Sequence, residues 1–112
     1  MEIDWFTTKD GKAIEPSEVI KRLRRNMIIH STLYYHYDEP IISDDVWQSM
    51  ANDLSEIQGM FPNPTGYFDE LFADWDGSTG MHVVKTDPYW LSECIYLIRL
   101  FNRVKIESVK VV

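Results

Sequence analysis

Cysteine is nearly absent from this chain of 112 residues: Cys94 stands alone, so no internal disulfide can form, which fits a reducing compartment. Long apolar runs are missing as well, and none approaches the ~20 residues that a membrane helix needs. The opening MEIDWFTTKDGKAIE lacks the basic start and apolar middle of a secretory signal. Together these absences lead us to expect a cytoplasmic protein with no membrane partner. A further absence is local. Residues 41–80 contain no Lys or Arg but hold eight acids: Asp44, Asp45, Asp53, Glu56, Asp69, Glu70, Asp74 and Asp76. That stretch outweighs the formal net charge of −7 for the whole chain. An acidic middle repels phosphates, so direct duplex DNA binding is not expected. The cluster KRLRR (Lys21–Arg25) is the remaining candidate for phosphate contact, and it reads first as a solvated helix face.

Catalytic signatures are scarce too. His30, His36, His82 and Cys94 do not form a compact ligand motif, and no cysteine pair exists for structural zinc. DWDGS at Asp74–Ser78 resembles the start of a calcium loop, but the later bidentate Glu is missing; an Asx-rich turn is the simpler reading. There is no Gly-x-Ser-x-Gly elbow, no P-loop and no glycine-rich dinucleotide fingerprint. Cys94 falls in an apolar helical stretch, where a buried inert thiol is expected. The pairs Asp44/Asp45 and Asp69/Glu70 read as solvated helix N-termini.

What the sequence does contain is a hydrophobic fraction of 45% with four tryptophans, enough for one domain spanning residues 1–112. Asp4 to Phe6 reads as a short strand, turned by KDGK at Lys9–Lys12. Pro16 and Ser17 suit a helix start, and Ile20, Leu23, Met27, Tyr34 and Tyr37 recur at helical spacing as far as about Tyr37. Asp38-Glu39-Pro40 breaks that helix, because a residue before proline is pushed from helical dihedrals. Ser43 can cap a second helix, with Asp44 and Asp45 in its first turn and Val46, Trp47, Met50, Leu54 and Ile57 as its apolar stripe, ending at Gly59. A short helix over Tyr67–Trp75 and a β segment at MHVV follow. Asp87 and Pro88 open a last helix to about Asn102, with Leu91, Ile95, Ile98 and Phe101 or Val104 inward. The β-branched tail VKIESVKVV reads as a terminal strand. The expected fold is α+β and helix-rich, with short N- and C-terminal β elements.

One segment gathers chemistry: LYYHYDEPIISDDVWQSM, Leu33–Met50. Tyr34 and Tyr35 lie near the end of the first helix, and Asp44 and Trp47, three apart, share a face of the second. A tight proline turn would fold these ends together into aromatic walls around a carboxylate. Such a pocket suits a flat, positively charged heteroaromatic ring, through stacking, cation–π attraction and charge pairing. Oxidised nicotinamide is one such ring. A plain corner, in which Asp44 serves the helix start and the rings belong to the core, has the same spacing.

The stretch from about Leu23 to Gln58, within the helical pair at residues 17–58, resembles the N-terminal Ia domain of bacterial NAD-dependent DNA ligases. That family carries an aromatic or Tyr-His helix end, then Asp-x-Pro-x-Ile-x-Asp-x-x-Tyr-Asp. Asp38, Pro40, Ile42 and Asp44 fall at its spacing, and Met50 and Leu54 continue the stripe. The resemblance implies recognition of NAD through its nicotinamide mononucleotide half. By position it implies Tyr34, Tyr35, Asp44, Trp47 and Gln48 as the binding set. Tyr35, Trp47 and Gln48 stand where the family has His, Tyr and Asp. The family's adenylation motif, Lys-x-Asp-Gly, does not occur, and no further ligase domain follows, so ligase activity is not expected from this chain. It is similar to the small stand-alone ligase-related proteins of phage and prophage genomes. Two functions are expected of it: a nucleotide-binding module, or an acidic interaction or inhibitor protein whose region 41–80 meets a protein partner. An enzyme acting on NAD is a third reading, with no nucleophile or acid/base pair to carry it.

Overall fold

Helix α1, Pro16–Tyr35, runs through the middle of the molecule. In this computed structural model, which describes residues 6–110, it packs against α2 (Asp44–Met60), a 3₁₀ turn at Met81–Val83 and α3 (Pro88–Lys110). Its buried residues lie around much of its circumference, from Val19 and Ile20 to Thr32 and Leu33, as a helix covered on several sides requires. Leu23, Met27, Ile28, Ile29 and Leu33 of α1 share one buried cluster with Met50, Ala51, Leu54 and Ile57 of α2 and with Phe72, Trp75, Val83, Trp90 and Cys94. No helix among the described residues is long and apolar enough to cross a membrane.

The fold is three-helical, and the expected α+β class is corrected on its β part. Among the described residues no strand forms; a single antiparallel bridge pairs Thr7 with Ala13 around the KDGK turn, where Gly11 has φ +85°. Asp4 and Trp5 of the first expected strand lie outside the described residues. MHVV makes the 3₁₀ turn instead, because no strand lies beside it and Val83 is drawn into the core against α1. The expected terminal strand is helical as far as Lys110. From Tyr89 to Lys110 there is neither glycine nor proline, and the penalty of β-branched residues, under ~0.7 kcal/mol each, is too small to end a helix with no partner strand at hand.

Two other expectations shift. Tyr67–Trp75 is not a helix but an irregular turn, with Phe72 N–H reaching Phe68 O at 3.2 Å and Ala73 N–H reaching Glu70 O at 3.3 Å. Phe68 has φ +56°, which no helix start accepts. In α3 the buried line runs through Trp90 and Cys94, while Ile95 and Phe101 are exposed. The large Trp90 ring takes the inward place, with its centroid 6.0 Å from that of Phe68. Cys94 is buried as expected, its thiol 3.8 Å from Ile29 O, and burial pushes that thiol's pKa up.

KRLRR is also not a uniformly solvated face. Arg22 is exposed and pairs with Glu18, but Arg24 is only 6% exposed and reaches Asp69 at 2.7 Å. Asp69 therefore does not open a solvated helix. Its carboxylate accepts from Arg24 and from the N–H groups of Thr65 and Gly66, which hold its pKa far below the usual range.

Candidate functional site: the corner between α1 and α2

The corner is shaped by how α1 ends. Its last turn closes with His36 N–H on Thr32 O at 2.9 Å, and the chain then passes through Asp38 with φ +51°. Asp tolerates this left-handed region better than most residues. Glu39 N–H returns to Leu33 O at 2.9 Å, and Pro40 starts the short link to Ser43. Ser43 caps α2 as expected, its hydroxyl accepting from Val46 N–H at 3.2 Å. Asp44 consequently sits in the first turn of α2, where free N–H groups favour a carboxylate.

Between these helix ends lies a cavity of about 210 Å³, open to solvent. All five sequence-named residues, Tyr34, Tyr35, Asp44, Trp47 and Gln48, line it. Tyr34 and Tyr35 are 46% and 42% exposed, with rings edge to face at 4.8 Å, so they are not core residues. Trp47 is half-buried, and its ring lies 6.3 Å from that of Trp75. Gln48 Nε2 donates to Asn52 Oδ1 at 3.0 Å and to Gly77 O at 2.8 Å, leaving the side-chain carbonyl as the polar atom it can offer.

The 76–80 loop braces the far wall. Asp76 accepts from the N–H and hydroxyl of Ser78 at 2.9 and 2.6 Å, the Asx turn expected of DWDGS. Ser78 reaches the cavity. Gly80 presses between Ser31 and Trp47: a Cβ there would stand 2.9 Å from Trp47 Cζ2 and closer still to the Ser31 hydroxyl. The indole is thus held at its position by a residue that must be glycine.

Sequence reading missed His30. It lines the cavity one helical turn before Tyr34, and its Nδ1 is buried with no hydrogen-bond partner among the described residues. Burial lowers its pKa, so the neutral imidazole is favoured. The four-residue spacing from Tyr34 was the available signal, since residues so spaced share a helix face. Pro40, Ile41 and Ile42 supply the apolar remainder of the wall.

A wider hollow of about 440 Å³ borders Arg24 and Asp69, but those two side chains already bind each other. Among the described residues no cluster of His, Cys, Asp or Glu could hold a metal ion. The class defined by fold and site is therefore a small three-helix domain with an aromatic, acid-edged cavity at a helix corner. No protein-family model matches the chain, and no solved structure matches it.

Proposed function

We propose that the α1–α2 corner is an Ia-like helical pair and binds a flat, cationic heteroaromatic ring. Oxidised nicotinamide, carried by NAD or nicotinamide mononucleotide, is the ring that the ligase resemblance implies. The observation that supports this most is that Tyr34, Tyr35, Asp44, Trp47 and Gln48 border one open cavity that no side chain among the described residues fills. At about 210 Å³ it lies below the roughly 300–1,000 Å³ of sites that enclose drug-sized ligands. One ring fits inside; the rest of a nucleotide stays outside. Tyr34, Tyr35 and Trp47 are the aromatic residues in the wall that would meet a cation, Asp44 offers the charge, and the Gln48 carbonyl can accept from a carboxamide N–H. The function is binding without ligase activity of its own.

Titration with nicotinamide mononucleotide, followed by tryptophan fluorescence and by NMR shifts, tests the proposal. Saturable binding that weakens about tenfold in Asp44→Ala is the expected result. An unchanged spectrum at millimolar nicotinamide mononucleotide and also at millimolar 1-methylnicotinamide, which carries the same cationic ring without a phosphate, overturns it.

A second reading is an acidic interaction or inhibitor protein that keeps this scaffold without the ligand. Its support is the exposure of Asp44, Asp45, Glu56, Glu70, Asp74 and Asp76 within a region lacking basic residues. Such a surface suits a basic groove on a protein partner. Capture of a partner that is released by raised salt would favour it, and capture indifferent to salt would remove its basis.

A further inference from the structure

The charges around the cavity are one-sided. Asp44 is among its lining residues, and none of them is Lys or Arg. The whole sequence between Arg25 and Lys85 is free of Lys and Arg yet carries ten acids, and every residue that lines the cavity falls within it. The flanking cations are engaged elsewhere. Arg24 is bound to Asp69 and Arg25 to Glu93, while the Lys85 ammonium lies 5.3 Å from the centre of the Phe68 ring. Among the residues that line the cavity, a phosphate next to the ring would therefore meet the Asp44 carboxylate and no Lys or Arg. The one imidazole in the wall, His30, is half-buried, and burial favours its neutral form.

Resting on the ring-binding reading above, we infer that the corner recognises the cationic ring alone and selects against its phosphorylated carriers. The ligand class is an N-substituted aromatic cation without a phosphate, such as an N-alkylated or N-ribosylated pyridine carboxamide. Cation–π attraction and Asp44 favour the positive ring. Asp44, with no Lys or Arg beside it in the lining, lowers the affinity of any ligand whose phosphate leaves it with net negative charge.

Three probes separate the contributions: 1-methylnicotinamide (cation, no phosphate), nicotinamide (neutral, no phosphate) and nicotinamide mononucleotide (cationic ring, phosphate). Each is titrated into the full chain at low and at raised salt. The expected order places 1-methylnicotinamide about fivefold or more ahead of both others at low salt, the scale of unit-charge interactions near a protein surface. Raised salt should narrow its lead over the mononucleotide. Asp44→Asn, an exposed change that keeps the shape, should erase the preference for 1-methylnicotinamide over nicotinamide. Tighter binding of the mononucleotide than of 1-methylnicotinamide overturns the inference while leaving the ring-binding proposal intact. Equal binding of nicotinamide and 1-methylnicotinamide likewise overturns it, since the ring's charge is then unread. If none of the three binds, the ring-binding proposal itself fails, and this inference with it.

Discussion

Helix α1 carries two polar clusters that behave in opposite ways. Around Arg24 the polar groups answer one another: the guanidinium donates to Gln58 Oε1, Thr65 Oγ1, Tyr67 O and Asp69 Oδ1 at 2.7–3.0 Å, above the Phe72 ring. At the α1–α2 corner polar groups are left open among the described residues: an exposed Asp44, a Gln48 carbonyl and a buried His30 Nδ1 without a partner there. A buried charge with several hydrogen bonds closes a loop onto a helix, and removing one partner is costly. Open polar atoms beside exposed aromatic rings contribute little to folding and remain available to a ligand. The first cluster builds the fold; the second is where we place function.

The contrast can be broken by mutation, and the largest effect is expected at the clamp. Arg24→Met should destabilise the domain by about 3 kcal/mol, because it strips Asp69 and the 65–67 loop of their shared donor. Urea denaturation measures this, and a loss under about 1 kcal/mol would mean that the cluster is not structural. Gly80→Ala comes next. Its methyl must displace Trp47 or Ser31, at about 1–3 kcal/mol of overpacking. Ligand-induced change in tryptophan fluorescence should fall with it, and a variant with wild-type stability and binding would show that Gly80 does not set the indole's position.

Asp44→Ala should show the reverse balance. Stability changes by under about 1 kcal/mol, the scale of a charge in the first turn of a helix. Affinity for a cationic ring drops about tenfold, the scale of about 1.4 kcal/mol for one charge contact at a protein surface. Equal affinity in mutant and wild type would take the carboxylate out of the site.

The smallest effects are in pH. His30 has its pKa lowered by burial, so between that value and 6.5 the unfolded chain binds the extra proton and the folded one does not. Stability from this group is therefore complete above 6.5 and declines as pH falls through the lowered value. His30→Gln should flatten that part of the stability curve. Asp69 acts lower down: its contribution is complete above its ordinary 3.8 and is lost as pH falls further. Asp69→Asn should remove that acid-side slope while leaving the His30 region unchanged.

Much of the corner was legible from local rules. Asp38-Glu39-Pro40 marked the bend, although α1 already ends at Tyr35, ahead of Asp38 at φ +51°, and Ser43 caps α2 because its hydroxyl reaches a free N–H. The Asp44–Trp47 spacing puts both on one face through helix geometry alone. Less legible was the phase of α3, where Trp90 rather than Leu91 turns inward to meet Phe68. Arg24 was hidden too, since nothing near it in sequence announces Asp69, forty-five residues away. His30 was missed because a lone histidine among apolar residues looks like any core residue.

The amino-acid sequence by itself determined where α1 and α2 begin, the bend between them, and the absence of positive charge from the middle of the chain. These are short-range properties, set by dihedral preference, capping and composition. Tertiary structure alone decided that the tail stays helical, that Asp69 pairs with Arg24, and that a loop ending in Gly80 braces Trp47 beside an unfilled space. Those outcomes depend on which surfaces meet, and contacts between residues distant in sequence are chosen by packing, which local propensity does not encode.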